Sequence, residues 1–207
     1  KPDSTKRTLP AIKAVPSDPK IIVPADSLVR HVIDEPLSRF TESVRAVKVA
    51  ADLSRLGKPH KVIGITSSLP NEGKSTIAAS IAYLTAHAGA KTILVDCDLR
   101  NPSVTRQLAP TARLGVLEVL AGSASVKEAV WMDRTTNLSF LPAVVKPRFA
   151  HTNEILASRG MKELFERLRE SYEYVIVDLS PLAPVVDVRS TAHLVDSYVF
   201  VIEWGRT

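Results

Sequence analysis

With a single cysteine among 207 residues, the chain cannot close a disulfide of its own, and its fold has to rest on packing in a reducing compartment. That cysteine, Cys97, falls at the end of an apolar, strand-like run, where a thiol is buried and inert. No stretch comes near the roughly 20 consecutive apolar residues needed to cross a bilayer, and no signal-peptide pattern is expected. The formal charge is +5. No basic motif interleaved with aromatic residues accompanies that charge, so nucleic acid is not an expected partner. No internal repeat is visible, which excludes solenoid and propeller arrays.

What is present is enough apolar sequence, 45% of residues, to bury one full core. Strand-like runs alternate with helical stretches. That alternation predicts an α/β domain with a doubly wound, mostly parallel sheet and helices on both faces. The first 37 residues differ, holding six of the 14 prolines together with Lys1, Lys6, Arg7, Lys13 and Lys20. Residues 1–37 are expected to form a Pro-rich basic arm, in which 1–20 is an extended linker and Lys20–Pro24 adds an edge segment to the body. Such an arm suits the anionic cytoplasmic face of a membrane, where each Lys or Arg contributes about 1 kcal/mol. Residues 38–207 are expected to be the globular domain. Within it, a helix is predicted from Arg39 to Leu56 with Gly57 as its cap. An amphipathic helix is predicted from Asn153 to Glu170, burying Ile155, Leu156, Met161, Leu164, Phe165 and Leu168.

The chemistry concentrates in three places. Lys61-Val-Ile-Gly-Ile65 reads as a buried strand and Thr76 to His87 as a helix ending at Gly89; between them lies Ser67-Ser-Leu-Pro-Asn-Glu-Gly-Lys-Ser75. Strand, tight polar loop, Gly-Lys-Ser and helix form the context of a phosphate-binding loop. Gly73 lets the backbone approach a phosphate, and backbone N–H groups with the helix N-terminus face the anion. Lys74 is the candidate to reach the β- and γ-phosphates and Ser75 to ligate Mg²⁺. The nucleotide-binding set is Ser68, Pro70, Asn71, Glu72, Gly73, Lys74, Ser75 and Thr76. Ser68 stands where the general motif G-x-x-x-x-G-K-[ST] has its first glycine.

The second place is Thr92-Ile-Leu-Val-Asp96-Cys-Asp98-Leu-Arg100, a buried strand with two carboxylates at its C-terminal end, where open α/β sheets bind ligands. Asp96 and Asp98 are candidates to hold Mg²⁺ directly or through water, and one of them to accept a proton from an attacking hydroxyl. The third is Tyr174-Val-Ile-Val-Asp178-Leu-Ser-Pro181, a strand ending in an Asp with the Walker B character of holding the metal's water shell. The metal set is therefore Ser75, Asp96, Asp98 and Asp178, and the catalytic set Lys74, Asp96 and Asp98.

The three motifs in this order resemble Walker A, A′ and B of the bacterial tyrosine kinases (BY-kinases), the cytoplasmic kinase domains of exopolysaccharide and capsular polysaccharide co-polymerases. Ile93 to Arg100 is similar to their A′ pattern, an apolar triplet followed by D-x-D-x-R. Leu114 to Gly122, Asn137 to Pro142 and Asn153 to Ser158 are similar to segments that lie between the family's motifs, so the resemblance spans about residues 38–205. It implies a P-loop domain of the deviant Walker type related to MinD and ParA. It also implies an enzyme that moves a phosphoryl group from MgATP to tyrosines of a neighbouring subunit. Implied partners are a second copy of the chain, in a ring, and a transmembrane polysaccharide co-polymerase, fused or separate; the implied location is the inner face of a bacterial plasma membrane.

The family's E-x-x-R-x-x-R helix motif, which builds rings, is matched by Glu42, Arg45 and Lys48, all on one helical face. Walker B in the family commonly runs D-x-P-P, whereas Ser180 here frees a backbone N–H and is expected to loosen the turn. Arg100 is expected to fix the A′ loop by pairing with a carboxylate. The chain stops after the strand-like Ser197 to Ile202, so a last helix and a tyrosine-rich tail are expected to be missing. Tyr83, Tyr172, Tyr174 and Tyr198 read as packing residues. Two other classes share parts of the pattern: a nucleotide-binding regulator of polysaccharide chain length without kinase activity, and a ParA/MinD-type ATPase. The latter carries a second lysine near the start of the loop, where this chain has Leu69.

Overall fold

Short runs of β-branched and aliphatic residues, polar at their C-terminal ends, build the sheet at the centre of the molecule. The computed structural model describes residues 20–22, 27–53, 61–145, 151–205 and 207. Among them six strands lie in the order β3-β4-β2-β5-β1-β6. These are β1 (Lys61–Ser67), β2 (Thr92–Asp96), β3 (Trp131–Met132), β4 (Ser139–Leu141), β5 (Tyr174–Asp178) and β6 (Ser197–Val201). All neighbours pair in parallel except β3, which runs antiparallel to β4. Every residue of β2 and β5 is buried, as expected of central parallel strands covered on both faces.

The period-2 alternation of those strands feeds two separate cores. On one face Ile63, Ile65, Leu94 and Ile176 pack with Ala78, Ile81 and Ala82 of α3 (Lys74–His87). On the other, Val62, Ile93, Val95, Val175 and Val177 pack with Leu164, Phe165 and Leu168 of α8 (Arg159–Ser171). The doubly wound architecture that the alternation predicts is the one observed.

Register places the site. Asp178 lies opposite both Ile65 of β1 and Asp96 of β2, so β2 and β5 end at one level and β1 runs on two residues further, to Ser67. The loops that follow them face the same space.

Several elements differ from the sequence expectation. Residues up to 37 contain a helix, α1 (Ser27–Asp34), whose Val29 and Val32 are buried in the core shared with α3. The prolines around it obscure a two-turn amphipathic pattern. Residues 1–19 and 23–26 lie outside the described residues. Lys20 to Ile22 does join a sheet edge: Ile22 N donates to Met132 O at 3.1 Å, and Met132 N to Lys20 O at 2.9 Å. Helix α2 (Arg39–Leu53) starts where Ser38 Oγ accepts from Thr41 N at 3.2 Å; the cap proposed at Gly57 lies outside the described residues. The single helix expected over Asn153–Glu170 is two, α7 (Thr152–Leu156) and α8. Ser158 takes an extended backbone between them and its Oγ accepts from Met161 N, an N-cap that restarts the helix. The short helices α4 (Ser103–Leu108), α5 (Val116–Leu120) and α6 (Val126–Ala129) and the 3-10 turn Asp187–Thr191 complete the described chain.

Candidate active site

The loop between β1 and α3 turns on two left-handed residues, Asn71 at φ 66° and Gly73 at φ 87°. Glycine and asparagine are the residues that tolerate this conformation. Gly73 caps α3, whose first free N–H groups open toward a cavity of about 430 Å³. Pro70, Asn71, Gly73, Lys74, Ser75 and Thr76 line it on the loop side. Ser68 and Glu72 do not. The Glu72 carboxylate turns back to accept from Leu69 N at 2.6 Å and from Glu203 N at 3.2 Å, and also pairs with Thr207 Oγ1. The Leu69 N–H, foremost, holds its pKa below the ordinary carboxylate range. Glu72 thus braces the loop from within and ties it to the segment after β6.

Lys74 reaches inward. Its Nζ lies 2.8 Å from Asp98 Oδ2 and 3.4 Å from each oxygen of Asp178. Burial opposes the charge on Lys74, but Asp178 and Asp98 outweigh that cost and hold its pKa above the ordinary range. Ser75 Oγ donates to Asp178 Oδ2 at 2.8 Å and meets Ser103 Oγ at 2.8 Å. Asp98 Oδ1 accepts from Ser180 Oγ at 2.9 Å and from Asn101 N at 3.1 Å. Lys74, Ser75, Asp98 and Asp178, three elements apart in sequence, thereby form one contiguous cluster.

Asp96, like Asp178, stands behind the cavity wall. It is fully buried and does not line the cavity. Its Oδ1 accepts from Asp98 N at 3.1 Å, and its Oδ2 from Thr105 N at 2.9 Å and Thr105 Oγ1 at 2.8 Å. Thr105 Oγ1 in turn accepts from Ala143 N at 2.8 Å. Asp96 therefore ties the strand end to the first turn of α4 and to the chain after β4. Burial, reinforced by the Asp178 charge, pushes its pKa up, and burial does the same to Asp178 although Lys74 opposes it there.

Ser180 does not loosen its turn. Its carbonyl accepts from Thr66 Oγ1 at 2.8 Å while its hydroxyl serves Asp98. Arg100 pairs with a carboxylate, as expected; the partner is Asp187, which also accepts from Thr152 Oγ1 at 2.7 Å. Sequence reasoning missed Ser103, Thr105, Thr152 and Asp187, and it missed the use of the Ser180 hydroxyl. The only available signal was the Pro102-Ser-x-Thr105 helix start four to seven residues beyond Asp98. On α2, Glu42 and Arg45 pair with each other at the surface. Lys48, read as part of the same interface, turns to Asp52 at 2.6 Å and lies 5.1 Å over the Tyr174 ring. Among the described residues no helix is long and apolar enough to cross a membrane.

Known proteins resemble the chain in sequence and in fold. The AAA domain family model matches residues 60–204. The succinoglycan biosynthesis transport protein ExoP of Rhizobium meliloti is 45% identical over 186 residues; the match covers 89% of this chain but 24% of that protein. The chain therefore spans about a quarter of that relative's length. The tyrosine-protein kinase YwqD of Bacillus subtilis is 33% identical over 180 residues, covering 86% of this chain and 75% of that one. Among solved structures, the kinase domain of VpsO superposes with TM-score 0.71 at 31% identity, over 84% of this chain and 85% of that one. MinD from Pyrococcus horikoshii, at 21% identity and TM-score 0.54 over 69% of this chain and 57% of that one, shares the fold alone. The fold is thus that of nucleotide-binding P-loop proteins of the deviant Walker type. The chain belongs to the AAA domain family and, within it, to the bacterial tyrosine-protein kinases.

Proposed function

We propose that this chain is an ATP-dependent protein-tyrosine kinase domain that transfers the γ-phosphoryl group of MgATP to tyrosines of a neighbouring subunit. The observation that carries this reading is the convergence of Lys74, Ser75, Asp98 and Asp178 beside one cavity at the N-terminus of α3. The backbone N–H groups of Gly73 to Thr76 bind phosphate oxygens, and Lys74 exchanges its carboxylate partners for the β- and γ-phosphates.

The donor set fits Mg²⁺. Ser75 and Asp178 offer hard oxygens 2.8 Å apart, and Asp98 lies on the same lysine. Among the described residues no three His, Cys, Asp or Glu side chains close round a point. Mg²⁺ does not need them, since it takes one or two carboxylates, waters and substrate phosphates. Ser75 and Asp178 are the residues to hold it, with Asp98 on its water shell. When bound, the ion supplies neutralisation of phosphate charge.

Asp98, which faces the cavity, is the group to take the proton of the tyrosyl hydroxyl as its oxygen bonds to phosphorus and ADP leaves. Asp96 fixes the A′ loop instead. Positioning and charge stabilisation supply most of the rate. The name of the ExoP relative supports polysaccharide biosynthesis and transport as the setting, beside a membrane partner fused or separate. Self-association across α2 rests on the Glu42 and Arg45 pair and on the exposed Val49 and Leu53, without Lys48.

The test incubates the chain with MgATP and a synthetic Glu/Tyr copolymer, then measures phosphotyrosine beside a Lys74→Met control. The wild type labels the copolymer and the variant does not. Equal labelling by the two proteins ends the kinase assignment.

A further inference from the structure

We propose that Ser180 is a positioning residue of this site: its buried hydroxyl fixes the rotamer of Asp98 and so aims Asp98 Oδ2 at the cation-binding side of the cavity. The inference rests on the proposed MgATP site. Ser180 and Asp98 are each 1% exposed, so neither group has bulk water as an alternative partner. The hydrogen bond between Ser180 Oγ and Asp98 Oδ1 is 2.9 Å long. An ionised carboxylate has only acceptors, which assigns the proton to the serine and makes the bond charge-assisted.

The two oxygens of Asp98 are thereby sorted. Oδ1 is occupied by Ser180 Oγ and Asn101 N, and Oδ2 is left for Lys74 Nζ at 2.8 Å. Without Ser180 the Asn101 N–H, at 3.1 Å, is the one remaining partner described for Oδ1, and the broad, nearly two-fold χ2 of Asp leaves the plane of the carboxylate less well fixed. Ser180 removes that freedom because it is itself held on rigid parts. It follows Asp178, the last residue of β5, by two positions, and its carbonyl accepts from Thr66 Oγ1 of β1 at 2.8 Å. The chain of contacts Thr66, Ser180, Asp98 thus runs across the ends of β1, β5 and β2. Sites supported in this way keep their geometry because the orienting partner is anchored to strands and not to a loop.

The experiment is a double-mutant cycle on the 207-residue chain, combining Ser180→Ala with Asp98→Asn. Mn²⁺ affinity of the ADP complex is read by electron paramagnetic resonance, ADP affinity without metal by calorimetry, and Tm by circular dichroism. Ser180→Ala weakens Mn²⁺ binding about tenfold in the wild-type background, the lower end of what outer-shell partners cost. In the Asp98→Asn background it changes Mn²⁺ binding less than twofold, metal-free ADP affinity stays within experimental spread of its parent in both backgrounds, and the fall in Tm that loss of a buried hydrogen bond brings leaves each variant folded at the assay temperature. An equal loss in both backgrounds, or none in the first, overturns the role assigned to Ser180. The proposed site fails separately if Lys74→Met binds Mn²⁺ and ADP as the wild type does, an outcome that removes the basis for Ser180 as well.

Discussion

Arg100 grips Asp187 with two guanidinium nitrogens, Nε at 2.9 Å from Oδ2 and Nη2 at 3.0 Å from Oδ1. The carboxylate is buried while the arginine is partly exposed, so the pair fastens the A′ loop to the 3-10 turn from the outside. Thr152, at the start of α7, donates to the same Asp187 oxygen as Arg100 Nε. Arg100→Ala leaves a buried carboxylate short of two donors and lowers stability by about 2 kcal/mol, within the range for hydrogen bonds to charged groups. Arg100→Lys recovers part of this, because an ammonium cannot make the paired, planar contact. Urea unfolding of both variants checks the order wild type, Lys, Ala.

Thr105→Val tests the structural reading of Asp96. The swap keeps shape but removes the hydroxyl that donates to Asp96 and accepts from Ala143 N, leaving two buried polar groups a partner short. A loss of about 2–3 kcal/mol is expected. An unchanged unfolding midpoint means that the Thr105 hydroxyl does not hold Asp96 in place.

Ser158→Ala probes the break between α7 and α8. Loss of the cap on Met161 N costs about 1 kcal/mol, and Ser158→Asp retains most of the stability because Asp caps equally well. Thermal unfolding followed by circular dichroism separates the two variants.

Glu72→Ala removes the acceptor for Leu69 N and Glu203 N, and Glu72→Gln keeps one oxygen for them. Amide exchange at Leu69 therefore rises in the alanine variant and rises less in the glutamine variant, with the central strands unaffected. Hydrogen–deuterium exchange resolved to the loop gives the comparison.

The chain of apolar runs ending in Asp96 and Asp178 made the central strands legible, because a fully buried parallel strand has little else it can be. Gly73, Lys74 and Ser75 were legible for a similar reason: they are the residue types a phosphate loop requires at that spacing. The surroundings of Asp96 were not legible, because sequence gives the position of a carboxylate along a strand but not which of its neighbours takes up its oxygens. Asp98 N and Thr105 take them up, and Thr105 is itself held by Ala143 N, 38 residues further along. Ser180 was misread by reasoning only about its backbone. The two-turn helix at Ser27–Asp34 was hidden by flanking prolines, and helical spacing put Lys48 on the face of Glu42 and Arg45 without showing that Asp52 and Tyr174 also partner it.

The register that sets Asp178 opposite both Ile65 and Asp96 has a consequence for how such domains diversify. The carboxylates stand on the least replaceable part of the molecule, the middle of a sheet covered on both sides. Residues that line the cavity hang from the connections at its rim. Rim segments can be exchanged, lengthened or fused to other polypeptides while the two aspartates keep their spacing. One frame can therefore carry many different rims, and a change of rim need not disturb the frame.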